Sequence, residues 1–176
     1  MRLDLVPALD APDLLAPVVA AALRSWSRTA EVQVAPIDAD LADTAAFCAA
    51  YDVEPGASAN CVVVTGRRGE TTRHAACLVL ATTRADVNGL VRRHLDVRKA
   101  SFAPHEATVE ATSMEHGGIT PVGLPGEWPV LVDAAVLDVP LVVVGSGLRR
   151  SKLVLPGAAL ADLPGVVVLE GLGRPG

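Results

Sequence analysis

The sequence predicts a mixed α+β domain, or a mixed-sheet α/β one, in preference to a doubly wound fold. Three observations lead there. Helical and extended segments interleave without strict alternation. The chain has 176 residues, enough for one domain that buries roughly 70% of its unfolded surface. Hydrophobic residues make up 51% of it and aromatic ones only 3%, with a mean hydropathy of +0.39. Ala, Val and Leu must therefore build the core, and intrinsic disorder is excluded.

Leu14, Leu15, Val18, Val19, Ala22, Leu23 and Trp26 recur at helical spacing. They predict a helix over 13–26, with Asp13 as N-cap and Pro17 near the first turn, where proline is tolerated. Alternation over 31–37 predicts an edge strand. An Ala-rich helix is expected over 41–51, then a turn at Pro55-Gly56. Residues 59–65 and 74–81 read as two strands around a hairpin-like loop at 66–69. A helix over 85–94, an extended piece over 97–102 and a helix over 104–113 follow. The glycines and prolines between Met114 and Pro129 predict a loop of unusual length, and such loops commonly carry function. Beyond it, strands are expected over 130–132, 140–144, 152–155 and 166–169. A turn at 146–150 and a short helix over 156–161 separate them, and the tail 171–176 is expected to fray. No repeat or linker divides the chain, so one domain over 1–176 is expected.

The formal charge of -5 argues against a uniformly basic nucleic-acid-coating protein. Residues 1–66 hold three basic and nine acidic side chains, whereas 67–99 hold eight basic and three acidic. Lys99 and Lys152 are the only lysines. The basic clusters at Arg67-Arg68, Arg98-Lys99 and Arg149-Arg150 with Lys152 form either a rim for an anionic ligand or phosphate backbone, or solvated faces. Cys48, Cys61 and Cys77 are odd in number and flanked by apolar residues, which predicts reduced, buried, structural thiols. No secretory signal is recognised, and no apolar run is long enough to span a bilayer. A cytoplasmic protein without a membrane partner is expected.

Phosphate-binding and metal motifs are missing: no Gly-x-Gly-x-x-Gly, no P-loop, no His-Glu-x-x-His, and no metal spacing among His74, His94, His105 and His116. Neither a metal nor a cofactor is expected. The distinctive segment is Gly117-Gly118-Ile119-Thr120-Pro121-Val122-Gly123. Adjacent glycines let a backbone approach a ligand and offer amides to a carbonyl or oxyanion. Pro121 stiffens the turn. A purely structural loop is the other reading.

This segment resembles the glycine-proline loop of the YbaK/EbsC family, the bacterial prolyl-tRNA-synthetase-associated editing domains. Val132-Asp133, then Val142 to Gly147, then Lys152 to Pro156 resemble the family's C-terminal half. Ala59 to Val64, Val97 to Ala100 and the helix before the loop fall in the family's order. The resemblance covers roughly residues 30–170. It implies a curved, barrel-like mixed sheet and metal-free hydrolysis of mischarged aminoacyl-tRNA by a free-standing editing domain acting on a small amino acid.

By position, the resemblance assigns catalytic roles to Asn60, Gly118 and Asp133. It places Gly117, Ile119, Thr120, Pro121, Gly145 and Gly147 around the amino acid. Arg67, Arg68, Lys99, Arg149, Arg150 and Lys152 would meet the tRNA acceptor end. A homodimer is left open. Asn60 stands where family members typically carry a lysine, so it would orient water or the terminal ribose without a positive charge. The alternatives are a catalytically impaired relative that binds tRNA or a small ligand without turnover, and a protein- or ligand-binding module in which the arginines only solvate the surface.

Overall fold

The computed structural model describes residues 1–175. Its strands are β1 (Val6–Pro7), β2 (Gln33–Pro36), β3 (Ala59–Arg68), β4 (Thr71–Leu80), β5 (Thr83–Ala85), β6 (Lys99–Phe102), β7 (Val130–Asp133), β8 (Val142–Gly145), β9 (Ser151–Leu155), β10 (Val166–Leu169) and β11 (Gly173–Pro175). The α-helices are α1 (Pro17–Ser25), α2 (Thr44–Tyr51), α3 (Arg92–His94), α4 (His105–Thr112) and α5 (Ala134–Leu137).

A five-stranded mixed sheet has the order β10-β7-β4-β3-β6, parallel at β10–β7 and β7–β4 and antiparallel elsewhere. An antiparallel four-stranded sheet has the order β1-β2-β9-β8. The two meet where Ser58 bridges to Val143. They do not close into a barrel, so the barrel expectation reduces to two sheets joined at one corner. The mixed α/β class is as expected.

The core is aliphatic. Val34, Leu153, Leu155, Val142 and Val144 from the smaller sheet pack with Leu78, Val130 and Val132 from the larger one and with Val19 and Leu23 of α1. On β9, alternation sends Leu153 and Leu155 into this cluster. Val154, on the opposite face, joins Phe47, Cys48 and Ile37 in a separate cluster under α2. Strand β9 is thus buried on both faces, and this decides the fate of Lys152.

Several boundaries differ from expectation. Helix α1 begins at Pro17, because residues 12–14 form their own tight turn. Helix α2 begins at Thr44, because the Asp43 carboxylate accepts from the amides of Ala45 and Ala46. Strands β3 and β4 run on to Arg68 and from Thr71, so the hairpin turn is tighter than read. The tail does not fray over 173–175: β11 pairs with β5, and Arg174 is ion-paired with Asp86. Gly176 lies outside the described residues.

Candidate active site

The long loop is held by the turn between β8 and β9. Gly147 N donates to Gly118 O at 2.7 Å, and Glu115 N donates to Gly147 O at 2.8 Å. Arg149 N donates to the Glu115 carboxylate at 2.7 Å, and the Arg149 guanidinium donates to His116 O at 3.2 Å. Close backbone approach makes this possible. A side chain at Gly118 would come within 2.6 Å of the Leu148 backbone, and one at Gly145 would overlap the carbonyl oxygens of Gly118 and Ile119. Thr120, Pro121 and Val122 are buried behind the loop. The long loop expected from the sequence is therefore a fixed wall.

That wall closes one side of a cavity of about 630 Å³. Gly117, Ile119 and His116 line it from the loop, and Asn60, Cys61, Val62 and Val63 from β3. Ala42, Asp43 and Thr44 border it at the start of α2. Gly145, Arg149 and Lys152 come from β8, the turn and β9. His105, Thr108 and Val109 of α4, with Phe102 and Ala103 before it, complete the lining, and the exposed Phe102 and His105 mark its mouth. A neighbouring cavity of about 660 Å³ shares Asp43, Thr44 and Asn60, but its charged lining is Asp43, Asp52 and Glu54. An acidic lining disfavours a phosphate-bearing ligand.

Within the first cavity the Thr44 hydroxyl donates to Asn60 Oδ1 at 2.7 Å, fixing the amide. Lys152 is only 8% exposed. Its Nζ lies 3.4 Å from Gly117 O, 3.5 Å from Ala42 O and 5.4 Å above the Phe47 ring. Burial is the main cause that pushes its ammonium below the ordinary lysine range, and Arg149 adds to the shift. Cys61 lines the cavity, and desolvation drives its thiol above the ordinary thiol range, which disfavours the thiolate. Burial likewise pushes Cys77 up to about 12. All three cysteines are free. At the mouth, Phe102 is 59% exposed, and the Nδ1 atoms of His105 and His116 lie 2.7 Å apart. Among the described residues no group of three or more His, Cys, Asp or Glu is placed to hold a metal ion.

Residues 38–163 match the aminoacyl-tRNA editing domain family. The chain belongs to that family. Among solved structures, this editing domain is similar to a candidate trans-editing enzyme for prolyl tRNA synthetase. The TM-score is 0.75 at 24% identity, over 92% of this chain and 99% of that one. A scaffold from computational grafting of linear epitopes matches with TM-score 0.75 at 24% identity, over 92% and 97% of the two chains. A hypothetical protein matches with TM-score 0.73 at 20% identity, over 84% and 95%. These likenesses concern the fold. No curated protein matches.

The editing domain gathers Asn60, Gly117, Ile119, Gly145, Arg149 and Lys152 around one cavity and leaves other expected residues outside it. Asp133 does not line it. Its carboxylate caps α5 through Ala135 N at 2.9 Å and accepts from Gly173 N, so it acts as a fold anchor. Gly118 does not offer its amide either, since Gly118 N donates to Glu115 O at 2.9 Å. Gly147, with φ +85° against Ala16, Thr120 and Pro121 brace the loop from behind. Arg67, Arg68 and Lys99 sit at the exposed far end of the hairpin, and Arg68 is ion-paired with Asp96. Arg150 is exposed and donates to Asp13 O. Lys152, expected among the residues that meet the tRNA acceptor end, lines the cavity and is largely buried, because α2 covers its face of β9.

Sequence reasoning missed Thr44, Phe102, His105 and His116. The exposed Phe102 carried a signal, a large ring at a strand end before Pro104. The others depend on how α2 and α4 dock. No helix among the described residues is long and apolar enough to cross a membrane.

Proposed function

We propose that the chain hydrolyses the ester of a mischarged aminoacyl-tRNA bearing a small amino acid. The observation that carries this reading is the cavity walled by the Gly117–Ile119 backbone and floored by Asn60, within a chain that belongs to the editing family. In the reaction, a water oxygen bonds to the ester carbonyl carbon and the bond from that carbon to the ribose oxygen breaks. The proton from water ends on the ribose oxygen, leaving free amino acid and tRNA. Asn60, fixed by Thr44, orients the water or the terminal ribose. Ile119 and Val63 face the side chain, and an aliphatic wall of this kind discriminates mainly by size. Phe102 at the mouth gives the terminal adenine a ring to stack on, a contact worth about 1–3 kcal/mol. Arg149 meets the backbone of the acceptor end, and the site of action is the cytoplasm.

The test is release of amino acid from a panel of mischarged tRNAs. Turnover is expected on at least one small-amino-acid pair, with a marked loss in Asn60→Ala. No turnover on any pair at high enzyme concentration overturns the reading.

A further inference from the structure

Lys152 occupies a position that folding alone does not explain. An ammonium in a region 8% exposed to solvent loses hydration, and such a group is ordinarily paired with a carboxylate. Lys152 makes no ion pair among the described residues. Among the described residues its hydrogen-bond partners are two carbonyl oxygens at 3.4–3.5 Å, and the Phe47 ring lies beneath it. One side of it opens on the cavity. A cation held this way is short of one anionic partner, and the cavity is where that partner can enter.

The donor inventory of the cavity sharpens this. Gly118 N is bonded to Glu115 O, and the carbonyl of Gly117 faces the ammonium. The Thr44 hydroxyl is committed to Asn60. Ester hydrolysis places a negative charge on the carbonyl oxygen in its tetrahedral intermediate, and a donor prepared for that charge is commonly the largest single contribution to rate.

We propose that Lys152, reaching the cavity from β9, stabilises the negative charge that forms on the ester carbonyl oxygen. This rests on the reading of the cavity as a deacylase site. Lys152 donates hydrogen bonds to the oxygen as the water attacks and keeps its own proton; the charge is released when the ribose oxygen leaves. The surrounding charged or titratable groups are Asp43, which caps α2, Cys48 of α2, Cys61 of β3, Arg149 of the turn, His105 of α4 and His116 of the loop. Arg149 opposes the ammonium and Asp43 supports it.

Lys152→Met and Lys152→Arg separate this role from a structural one. Lys152→Met should lower kcat about 100-fold with little change in KM, while its Tm stays equal to or above that of the parent, because an unpaired buried charge has been removed. The parent's kcat should fall on the alkaline side as Lys152 loses its proton. Lys152→Arg should keep part of the activity and lose that fall. Retention of kcat within about threefold in Lys152→Met, on the scale of one lost oxyanion donor, overturns the proposal and leaves the deacylase reading intact.

A second measurement does not depend on turnover. A phosphonate analogue of alanyl-adenosine carries a tetrahedral oxyanion. By calorimetry the parent should bind it about tenfold or more tighter than Lys152→Met. Equal binding, or none by either protein, overturns the proposal even if no tRNA is deacylated. Selective binding without deacylation overturns the deacylase reading and with it the role in hydrolysis, leaving Lys152 as the anion-binding group of the cavity.

Discussion

The only two lysines of the chain stand at opposite ends of the structure's charge problem. Lys99 is exposed on β6, opposite Arg67 at the tip of the long hairpin, where water solvates every charge. Lys152 is enclosed between β9, α2 and the glycine-proline loop. From Asn60 to Arg67 the strand runs about 23 Å, so the two regions meet different parts of any ligand. At the tip a charge is cheap to hold and weak in effect. In the cavity it is costly and strong, since low dielectric magnifies it. A cluster of basic residues in a sequence does not tell these cases apart.

The largest effect should come from the wall itself. Gly145→Ala puts a methyl onto the Gly118 and Ile119 carbonyls and should destabilise by about 3 kcal/mol, lowering Tm by roughly 10 °C. Gly126→Ala, where the added methyl meets nothing within 4 Å, should leave Tm nearly unchanged. A small loss at Gly145 would mean the loop is not seated on β8, and the contrast between a rigid cavity and a soft tip would fail.

Next in size is Asp133→Ala, which removes a helix cap and the bond from Gly173. It should cost about 2 kcal/mol in denaturant unfolding. The turnover of the folded fraction should stay unchanged; a drop in kcat at full folding would return Asp133 to the site.

Arg149→Ala tests the mouth. Loss of one phosphate contact should raise KM severalfold and reduce the salt dependence of tRNA binding by about 0.7 in the log-log slope. Smallest is Lys99→Ala, which should change KM less than about twofold at physiological salt, as expected for an exposed charge that salt and water screen. An effect at Lys99 as large as at Arg149 would mean that the tRNA lies along the hairpin and that the tip belongs to the binding surface.

The fold was legible where local rules decide it. The alternation and apolar runs of β3, β4, β7, β8 and β9 and the Ala-rich α2 follow from pattern alone. The four-residue α5 and the short β1, β5 and β11 were not, because segments this brief take their form from the strands beside them. At the site, the glycine-proline loop and Asn60 could be read from motif and order. The loop's orientation could not, since it depends on hydrogen bonds to a turn about 30 residues away. The burial of Lys152 could not be read for a related reason. Strand alternation assigns it to the face opposite Leu153, and only the docking of α2 makes that face an interior.

The bonds between residues 115–118 and 147–149 tie two lips of the cavity into one rigid unit. A sieve with stiff rims excludes by girth and cannot shrink around a lesser guest. For an editing pocket this sets a ceiling on the side chain admitted and no floor: the glycyl ester should pass wherever the alanyl ester does, and preference among the smallest amino acids must arise from the tRNA that delivers them.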